Sequence, residues 1–184
     1  MKRLLVVLAL VLTGAAPSQP AAPSTVVLIV RHAERAPGSG DVPISDAGQA
    51  RAQALAEVGR VAGVSAVITT QFQRTQQTAA PLATALGLTP AVVAAQADAA
   101  KHAADVAAAV RAQAGKTVLV VGHSNTVPAI VAALGGPRFK DFCEPEYDNL
   151  IVMVLDAESG VRTVRTKYGT ATPVDPACAD ALGG

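Results

Sequence analysis

Two histidines stand directly after apolar runs, where a buried strand is expected to end. His32 ends VVLIVRH and His123 ends VLVVGH, while Arg31 precedes the first histidine and Arg74 follows a third apolar run in VITTQFQR. Guanidinium groups bind phosphate oxygens through paired N–H donors, and a neutral imidazole is a nucleophile toward phosphorus. These four residues therefore indicate a site that binds and transfers a phosphoryl group.

The elements that carry these residues alternate between strand and helix patterns. The predicted strands are Val26–Val30, Val64–Thr70, Thr89–Ala94, Thr117–Val121, Leu150–Leu155 and Val161–Lys167. Such alternation predicts an α/β fold, a three-layer sandwich with a mainly parallel sheet. Ligands of such sheets bind beyond the carboxyl ends of the strands, which is where both histidines are expected.

Four helices are predicted between the strands. The first is capped by Ser45 and ends near Val61, and the second is Gln73–Leu86, with Pro81 disturbing its middle. The third is capped by Asp98 and ends near Gly115. Asn125 or Thr126 caps the fourth, whose amide groups after Gly122 would favour an anion.

Three segments of the sequence, VRHAER, QFQRTQQTA and VVGHSNT, resemble the signature segments of the histidine phosphatase superfamily, the phosphoglycerate mutase-like proteins. PISDAGQARA is similar to the family's segment at the start of the first helix, and the resemblance spans Val26 to Gly136. It implies that His32 is phosphorylated during turnover. It also implies that Arg31, Arg74 and His123 form the phosphate pocket, and that no metal or other cofactor is used.

The chain departs from the family pattern at several positions. RHA replaces the common RHG, Gly38 stands where many members have a phosphate-contacting Asn, and no Glu occurs between Arg74 and His123. The mutases of the family carry a Glu in that interval, so a small phosphatase is the better interpretation. Similar short phosphatases act on phosphohistidine or on lipopolysaccharide sugar phosphates. For an exported protein the second comparison is closer, and the sequence does not name the substrate.

The missing Glu leaves the proton donor open. Asp98 is the first carboxylate after the third predicted strand and is the candidate acid, although an ordinary helix-capping role is the alternative. Glu34 is the next candidate. If no donor exists, the chain would be a catalytically degenerate family member that binds a phosphorylated ligand.

The GHSNT segment, His102 and Arg74 each allow an interpretation other than a catalytic or phosphate-binding role. GHSNT resembles the nucleophile elbow of α/β-hydrolases, but no histidine follows Ser124, which excludes that esterase arrangement. His102 lies in an Ala-rich helix pattern beside Lys101 and is predicted at the surface. For Arg74, a solvated charge on a helix is the alternative to phosphate binding.

The N-terminus has the form of a secretory signal peptide. Residues 1–22 combine Lys2 and Arg3, an apolar run from Leu4 to Leu12, and small residues after it, followed by a predicted domain over 25–184. We therefore expect a periplasmic or secreted protein with no membrane attachment after cleavage. The alternative is an uncleaved anchor.

Composition excludes other partners. Without Lys2 and Arg3 the chain has 13 basic and 14 acidic residues, and it contains no Trp. Neither feature favours nucleic acid, so the expected partner is a small phosphorylated substrate; no pattern indicates an oligomeric state. The two cysteines, Cys143 and Cys178, are too few for a thiolate metal site. In an exported protein a disulfide between them is expected, and two free thiols are the alternative.

Overall fold

The computed structural model describes residues 23–173 as one sheet with helices on both faces. The strands are β1 (Thr25–Arg31), β2 (Ala66–Thr69), β3 (Ala91–Val92), β4 (Thr117–Gly122), β5 (Asn149–Asp156) and β6 (Gly160–Lys167). The helices are α1 (Asp46–Val61), α2 (Gln73–Leu86), α3 (Ala99–Arg111) and α4 (Thr126–Ala133). The predicted signal peptide and Cys178 lie outside the described residues.

The strand order is β3-β2-β4-β1-β5-β6, and β1, β2, β3 and β4 run parallel. β5 pairs antiparallel with β1, and β6 pairs antiparallel with β5. The predicted α/β class is therefore confirmed, with a mixed sheet in which the two C-terminal strands reverse direction. The antiparallel pairing of β6 with β5 follows from the short turn that joins them, whereas parallel neighbours need a longer crossover connection.

The two faces of β1 show why the fold has three layers. Val27 and Ile29 pack with the apolar faces of α3 and α4, while Leu28 and Val30 pack with those of α1 and α2. Successive side chains of a strand point to opposite faces, so a fully apolar run suits a strand covered on both sides.

Helix ends follow the local signals in the sequence. The side chain of Ser45 accepts a hydrogen bond from the backbone N–H of Gly48 at the start of α1. α2 runs through Pro81 and ends at Gly87, whose φ of 63° is readily adopted by glycine. The edge strand β3 has two exposed residues and is shorter than predicted. In residues 23–173 no helix combines the length and apolarity needed to cross a bilayer.

The candidate active site

A polar pocket of about 300 Å³ opens at the carboxyl edge of the parallel strands. It is lined by Arg31, His32, Arg35, Phe72, Arg74, Ala95, Gln96, His123, Ser124, Asn125, Thr126 and Glu144. The structure thus brings together the four residues that the sequence pattern placed at one sheet edge. The strand register explains why His32 and His123 lie close together. Arg31 pairs with Gly122 across β1 and β4, and each histidine is the next residue after its own strand.

His32 is buried and held in one tautomer. Its Nδ1 lies 2.8 Å from the carbonyl oxygen of Ala33. A carbonyl only accepts, so Nδ1 carries the proton and Nε2 keeps its lone pair. Burial, together with the charges of Arg31 and Arg74, lowers the pKa of His32 to about 3 against the opposing effect of the Ala33 contact. At neutral pH the ring is therefore uncharged, which is the state in which an imidazole can act as a nucleophile.

His123 lies beside it, with ring centroids 5.4 Å apart. Its Nε2 is 3.2 Å from the hydroxyl oxygen of Thr70, and its backbone N–H donates to the hydroxyl oxygen of Thr126 at 2.9 Å. Burial, then the neighbouring His32 and Arg74, lower the pKa of His123 to about 3. His123 is thus neutral before a ligand arrives, and a phosphate dianion beside it would favour its protonation.

Arg31 is held by the loop that follows α4. Its Nη1 donates to the carbonyl oxygens of Cys143 at 3.0 Å and Glu144 at 2.9 Å, and its Nη2 donates to the Glu144 carboxylate at 2.8 Å. The guanidinium also stacks 4.0 Å from the ring centre of Tyr147. Its Nε is buried without a hydrogen-bond partner, so one edge of the group still has an N–H to donate.

Arg74 presents a second set of unsatisfied donors. Its Nε and Nη1 are buried without a hydrogen-bond partner, and the nearest carboxylate, of Asp41, is 3.7 Å from Nη1. The guanidinium stacks 4.3 Å from the ring centre of Phe72. Only 14% of the side chain is exposed, so Arg74 is not the solvated helix charge that was its alternative. Buried N–H groups without partners on two arginines of one pocket fit an incoming anion.

The start of α4 completes the anion-binding wall. Ser124, Asn125 and Thr126 line the pocket where this helix begins. Asn125 occupies the cap position without a side-chain cap bond. The positive end of the helix dipole favours an oxyanion here, as expected from the sequence, although the backbone N–H groups of Thr126 and Val127 both donate to the carbonyl oxygen of His123.

Two charged residues of the pocket were missed by the sequence analysis. Arg35 lies on its rim, and Glu144 reaches it from a loop more than a hundred residues away in the chain. The position of Arg35 within the VRHAER segment was an available signal. No local pattern around Glu144 marks it as a site residue.

The candidate proton donors lie elsewhere. Asp98 is exposed, and its Oδ1 accepts hydrogen bonds from the backbone N–H groups of Ala100 and Lys101. It is absent from the pocket wall, and its position favours the capping alternative over the predicted acid. The Glu34 carboxylate forms three hydrogen bonds with the buried Arg51.

The surface prediction for His102 is wrong. The side chain is fully buried, and its Nδ1 lies 3.2 Å from the carbonyl oxygen of Ala94. α3 turns this residue toward the sheet together with Ala103 and Val106. The Ala-rich helix has small residues on both faces, so its buried face could not be recognised from polarity alone.

Among residues 23–173 no cluster of three or more His, Cys, Asp or Glu side chains is arranged to hold a metal ion. The predicted Cys143–Cys178 disulfide has one partner outside the described residues and stays a prediction.

Comparison with known proteins supports the resemblance seen in the motifs. The family model described as histidine phosphatase superfamily (branch 1) matches residues 27–100. No curated protein matches the sequence.

Solved structures share the fold. The protein histidine phosphatase SixA complexed with tungstate is 21% identical, with a TM-score of 0.61 over 77% of this chain and 96% of its own. A putative phosphohistidine phosphatase SixA from Nakamurella multipartitia is 21% identical, with a TM-score of 0.58 over 82% and 100%. A mycobacterial glucosyl-3-phosphoglycerate phosphatase is 15% identical, with a TM-score of 0.60 over 80% and 100%. At these identities the likeness concerns the fold, and the predicted phosphoglycerate mutase-like architecture is confirmed.

Proposed function

We propose that this chain, whose residues 27–100 match the family model of the histidine phosphatase superfamily, is a metal-independent phosphomonoesterase that works through a phosphohistidine on His32. One observation carries the proposal most directly. A buried, neutral imidazole keeps a free Nε2 in the same pocket as buried N–H groups of Arg31 and Arg74 that have no partner. A nucleophile surrounded by unsatisfied cationic donors is arranged for an electrophilic anion.

The first half of the reaction forms a bond between His32 Nε2 and phosphorus as the ester P–O bond breaks. The electron pair of the P–O bond leaves with the alcohol oxygen, which takes up a proton. In the second half, water attacks the phosphorus, the P–N bond breaks, and its electron pair returns to Nε2. Inorganic phosphate is released and the imidazole is restored.

Charge on the three outer phosphoryl oxygens is stabilised by the protein. Arg31 and Arg74 supply fixed positive charge, His123 supplies a donor once the dianion is bound, and the N-terminus of α4 supplies the positive end of its dipole. These groups occupy the role that Mg²⁺ has in many phosphoryl-transfer enzymes. We therefore expect chelators to leave activity intact.

The proposed substrate is a small phosphorylated metabolite or an envelope sugar phosphate. The pocket volume of about 300 Å³ accommodates a phosphoryl group and a compact leaving group, and its wall is predominantly polar. The signal-peptide pattern at residues 1–22 supports a periplasmic or secreted location, where phosphorylated envelope sugars are available.

A second candidate is a degenerate family member that binds a phosphorylated ligand without turnover. It is favoured by the absence of any Glu between Arg74 and His123, together with the capping position of Asp98. Measured hydrolysis of a phosphate ester would distinguish the phosphatase from the binding protein.

The test uses the mature protein with an aryl phosphate. Rapid quenching should trap phosphate on the wild-type protein that is stable in alkali and labile in acid, as expected for phosphohistidine. His32→Ala should trap none and lose turnover, and His123→Ala should lose most of its rate while keeping the native circular dichroism spectrum. Undiminished turnover in His32→Ala would overturn the mechanism. Tight binding of phosphate esters by wild type without turnover would favour the degenerate binder.

A further inference from the structure

The leaving alcohol needs a proton, and Glu144 is the one carboxylate among the described residues that line the pocket. We propose that Glu144 is the general acid for the leaving group and the general base for the water that attacks the phosphohistidine. The inference rests on the proposed function, since it assigns the residue that the phosphatase reaction still requires.

Other carboxylates near this edge are already committed to backbone or surface contacts. Oδ1 of Asp98 accepts two backbone N–H groups of α3, and Oδ1 of Asp41 accepts the backbone N–H of Gln73 at the start of α2. Asp105 is exposed and bonded to Lys101 and Gln96. None of the three lines the pocket.

Glu144 makes contacts that place it beside the phosphate position. Its Oε2 accepts a hydrogen bond from Arg31 Nη2 at 2.8 Å, and its Oε1 accepts from Arg35 Nη2 at 3.3 Å and from the Tyr147 hydroxyl at 3.2 Å. Arg31 is the residue expected to hold a phosphoryl oxygen. A carboxylate bound to the same guanidinium is therefore within one side-chain rotation of the bound ester.

The side chain is free to make that movement. It is 64% exposed, whereas Arg31 beneath it is 2% exposed and fixed by loop carbonyls. A phosphate dianion that binds the Arg31 edge must displace the carboxylate, because both compete for the N–H of Nη2. The displaced carboxylate would then lie at the pocket mouth, on the side where the leaving group extends.

Displacement also lets the Glu144 carboxylate take up a proton from solvent. Desolvation alone would raise the pKa of Glu144, but Arg31, the Tyr147 hydroxyl and Arg35 outweigh it and keep the pKa below its ordinary value in the free protein. Once phosphate neutralises Arg31, that stabilisation is lost and a nearby dianion favours the protonated acid. The carboxyl group then has the state that an acid catalyst requires.

The two proton transfers through Glu144 balance over one turnover. As His32 Nε2 bonds to phosphorus and the P–O bond breaks, the Glu144 carboxyl gives its proton to the leaving oxygen. As water then attacks phosphorus, the Glu144 carboxylate takes a proton from it and the P–N bond breaks. The alcohol and phosphate leave, and the carboxyl group returns its proton to solvent as it pairs with Arg31 again.

The experiment compares leaving groups in Glu144→Gln, whose amide oxygen keeps the acceptor for Arg31. With an alkyl phosphate, kcat/KM should fall by roughly 10²–10⁴, the usual contribution of general acid catalysis. With p-nitrophenyl phosphate, whose leaving group needs no proton, kcat/KM should change by less than about tenfold on the same argument. Because the variant also lacks the base, p-nitrophenol should appear as a burst followed by slow turnover. Glu144→Asp should recover part of the alkyl rate.

The control is Glu57→Gln, an exposed residue of α1 paired with Arg60, which should keep wild-type kinetics on both esters. An equal loss of kcat/KM on both esters would overturn the proposal in favour of a role in holding the Arg31 loop. A lower KM with unchanged kcat on both would overturn it in favour of a carboxylate that merely competes with phosphate. Phosphohistidine trapped in wild type and in Glu144→Gln shows that the nucleophilic step stands whatever the result for Glu144.

Discussion

The imidazole rings of His32 and His123 lie 5.4 Å apart between centroids, with their planes inclined by 62°. The backbone N–H of His32 donates to the carbonyl oxygen of Gly122, which extends the β1–β4 ladder by one step and sets this separation. Each ring disfavours a proton on the other, since two imidazolium ions at this distance would repel each other. The pair is therefore neutral until an anion enters.

This arrangement predicts a loss of stability in mild acid. Histidine has an ordinary pKa of 6.5, and the pKa values of His32 and His123 in the folded protein are about 3. Between these values the unfolded chain binds more protons, so the free energy of unfolding should fall as the pH drops from 6.5 toward 3. Urea unfolding at pH 7.5, 6.5, 5.5 and 4.5 measures it.

Above pH 4.5 the pH dependence reports mainly the histidines, because the ordinary pKa of Glu144 is 4.5 and its pKa in the folded protein is lower. The double variant His32→Gln, His123→Gln should show a much flatter dependence in that window. A slope equal to that of wild type would contradict neutral burial of the pair. Added tungstate, a phosphate mimic, should raise the unfolding free energy, because the proposed phosphate pocket exists only in the folded state.

Asp98 should act as a helix cap. Asp98→Ala removes the acceptor for two backbone N–H groups of α3 and should lower the free energy of unfolding by about 1 kcal/mol. Asp98→Asn keeps a capping side chain and should cost only a fraction of that. Both variants should hydrolyse alkyl and aryl phosphates at near wild-type rates. A hundredfold loss confined to the alkyl ester in Asp98→Asn would return Asp98 to the mechanism.

The ion pair of Glu34 with Arg51 should be a main support of the site. Arg51 is buried, and it also donates to the carbonyl oxygens of Tyr168 and Thr170, so it joins α1 to the chain after β6. Glu34→Ala leaves this cation without its counter-charge and should destabilise the fold by about 3–5 kcal/mol. Thermal and urea unfolding measure the loss.

An exposed pair of the same chemistry is the matched control. Glu57 and Arg60 are both largely exposed on α1, so Glu57→Ala should cost less than about 1 kcal/mol. Equal losses in Glu34→Ala and Glu57→Ala would contradict the importance of burial at Arg51.

The predicted Cys143–Cys178 disulfide would act on the loop that holds Arg31. The carbonyl oxygen of Cys143 accepts a hydrogen bond from Arg31 Nη1, so a covalent link at this residue would restrain a contact that positions the proposed phosphate-binding residue Arg31. Closure of a loop of this length contributes about 3–4 kcal/mol in the chain-entropy model. Peptide mass spectrometry of exported, unreduced protein should show the linked pair, and reduction should lower the melting temperature. Two alkylated thiols in that material would contradict the prediction.

Much of the site follows from local patterns. Arg31, His32 and His123 adjoin apolar runs that predict buried strands, and parallel strands bring their carboxyl ends to one edge. Arg74 lies in a motif between them. The helix starts at Ser45 and Asp98 carry side-chain acceptors that their sequence positions already indicate.

Other features depend on how distant segments pack. The antiparallel strands β5 and β6 extend the sheet from the edge of β1 that β4 leaves unpaired. The strand β3 is short and exposed because it lies at the opposite edge of the sheet. The burial of His102 depends on the rotation of α3 against the sheet, which a helix with alanines on both faces leaves unspecified.

Glu144 shows most clearly the difference between features that local sequence determines and features that tertiary packing determines. Its neighbours in the chain carry no pattern of a strand or helix end, and it joins the pocket because the loop after α4 crosses the sheet edge and closes over Arg31. Local sequence specifies short-range backbone geometry and the burial of strands, since both depend on neighbouring residues. The contact between residues 31 and 144 exists only after the loop has packed, so it is a property of the folded chain.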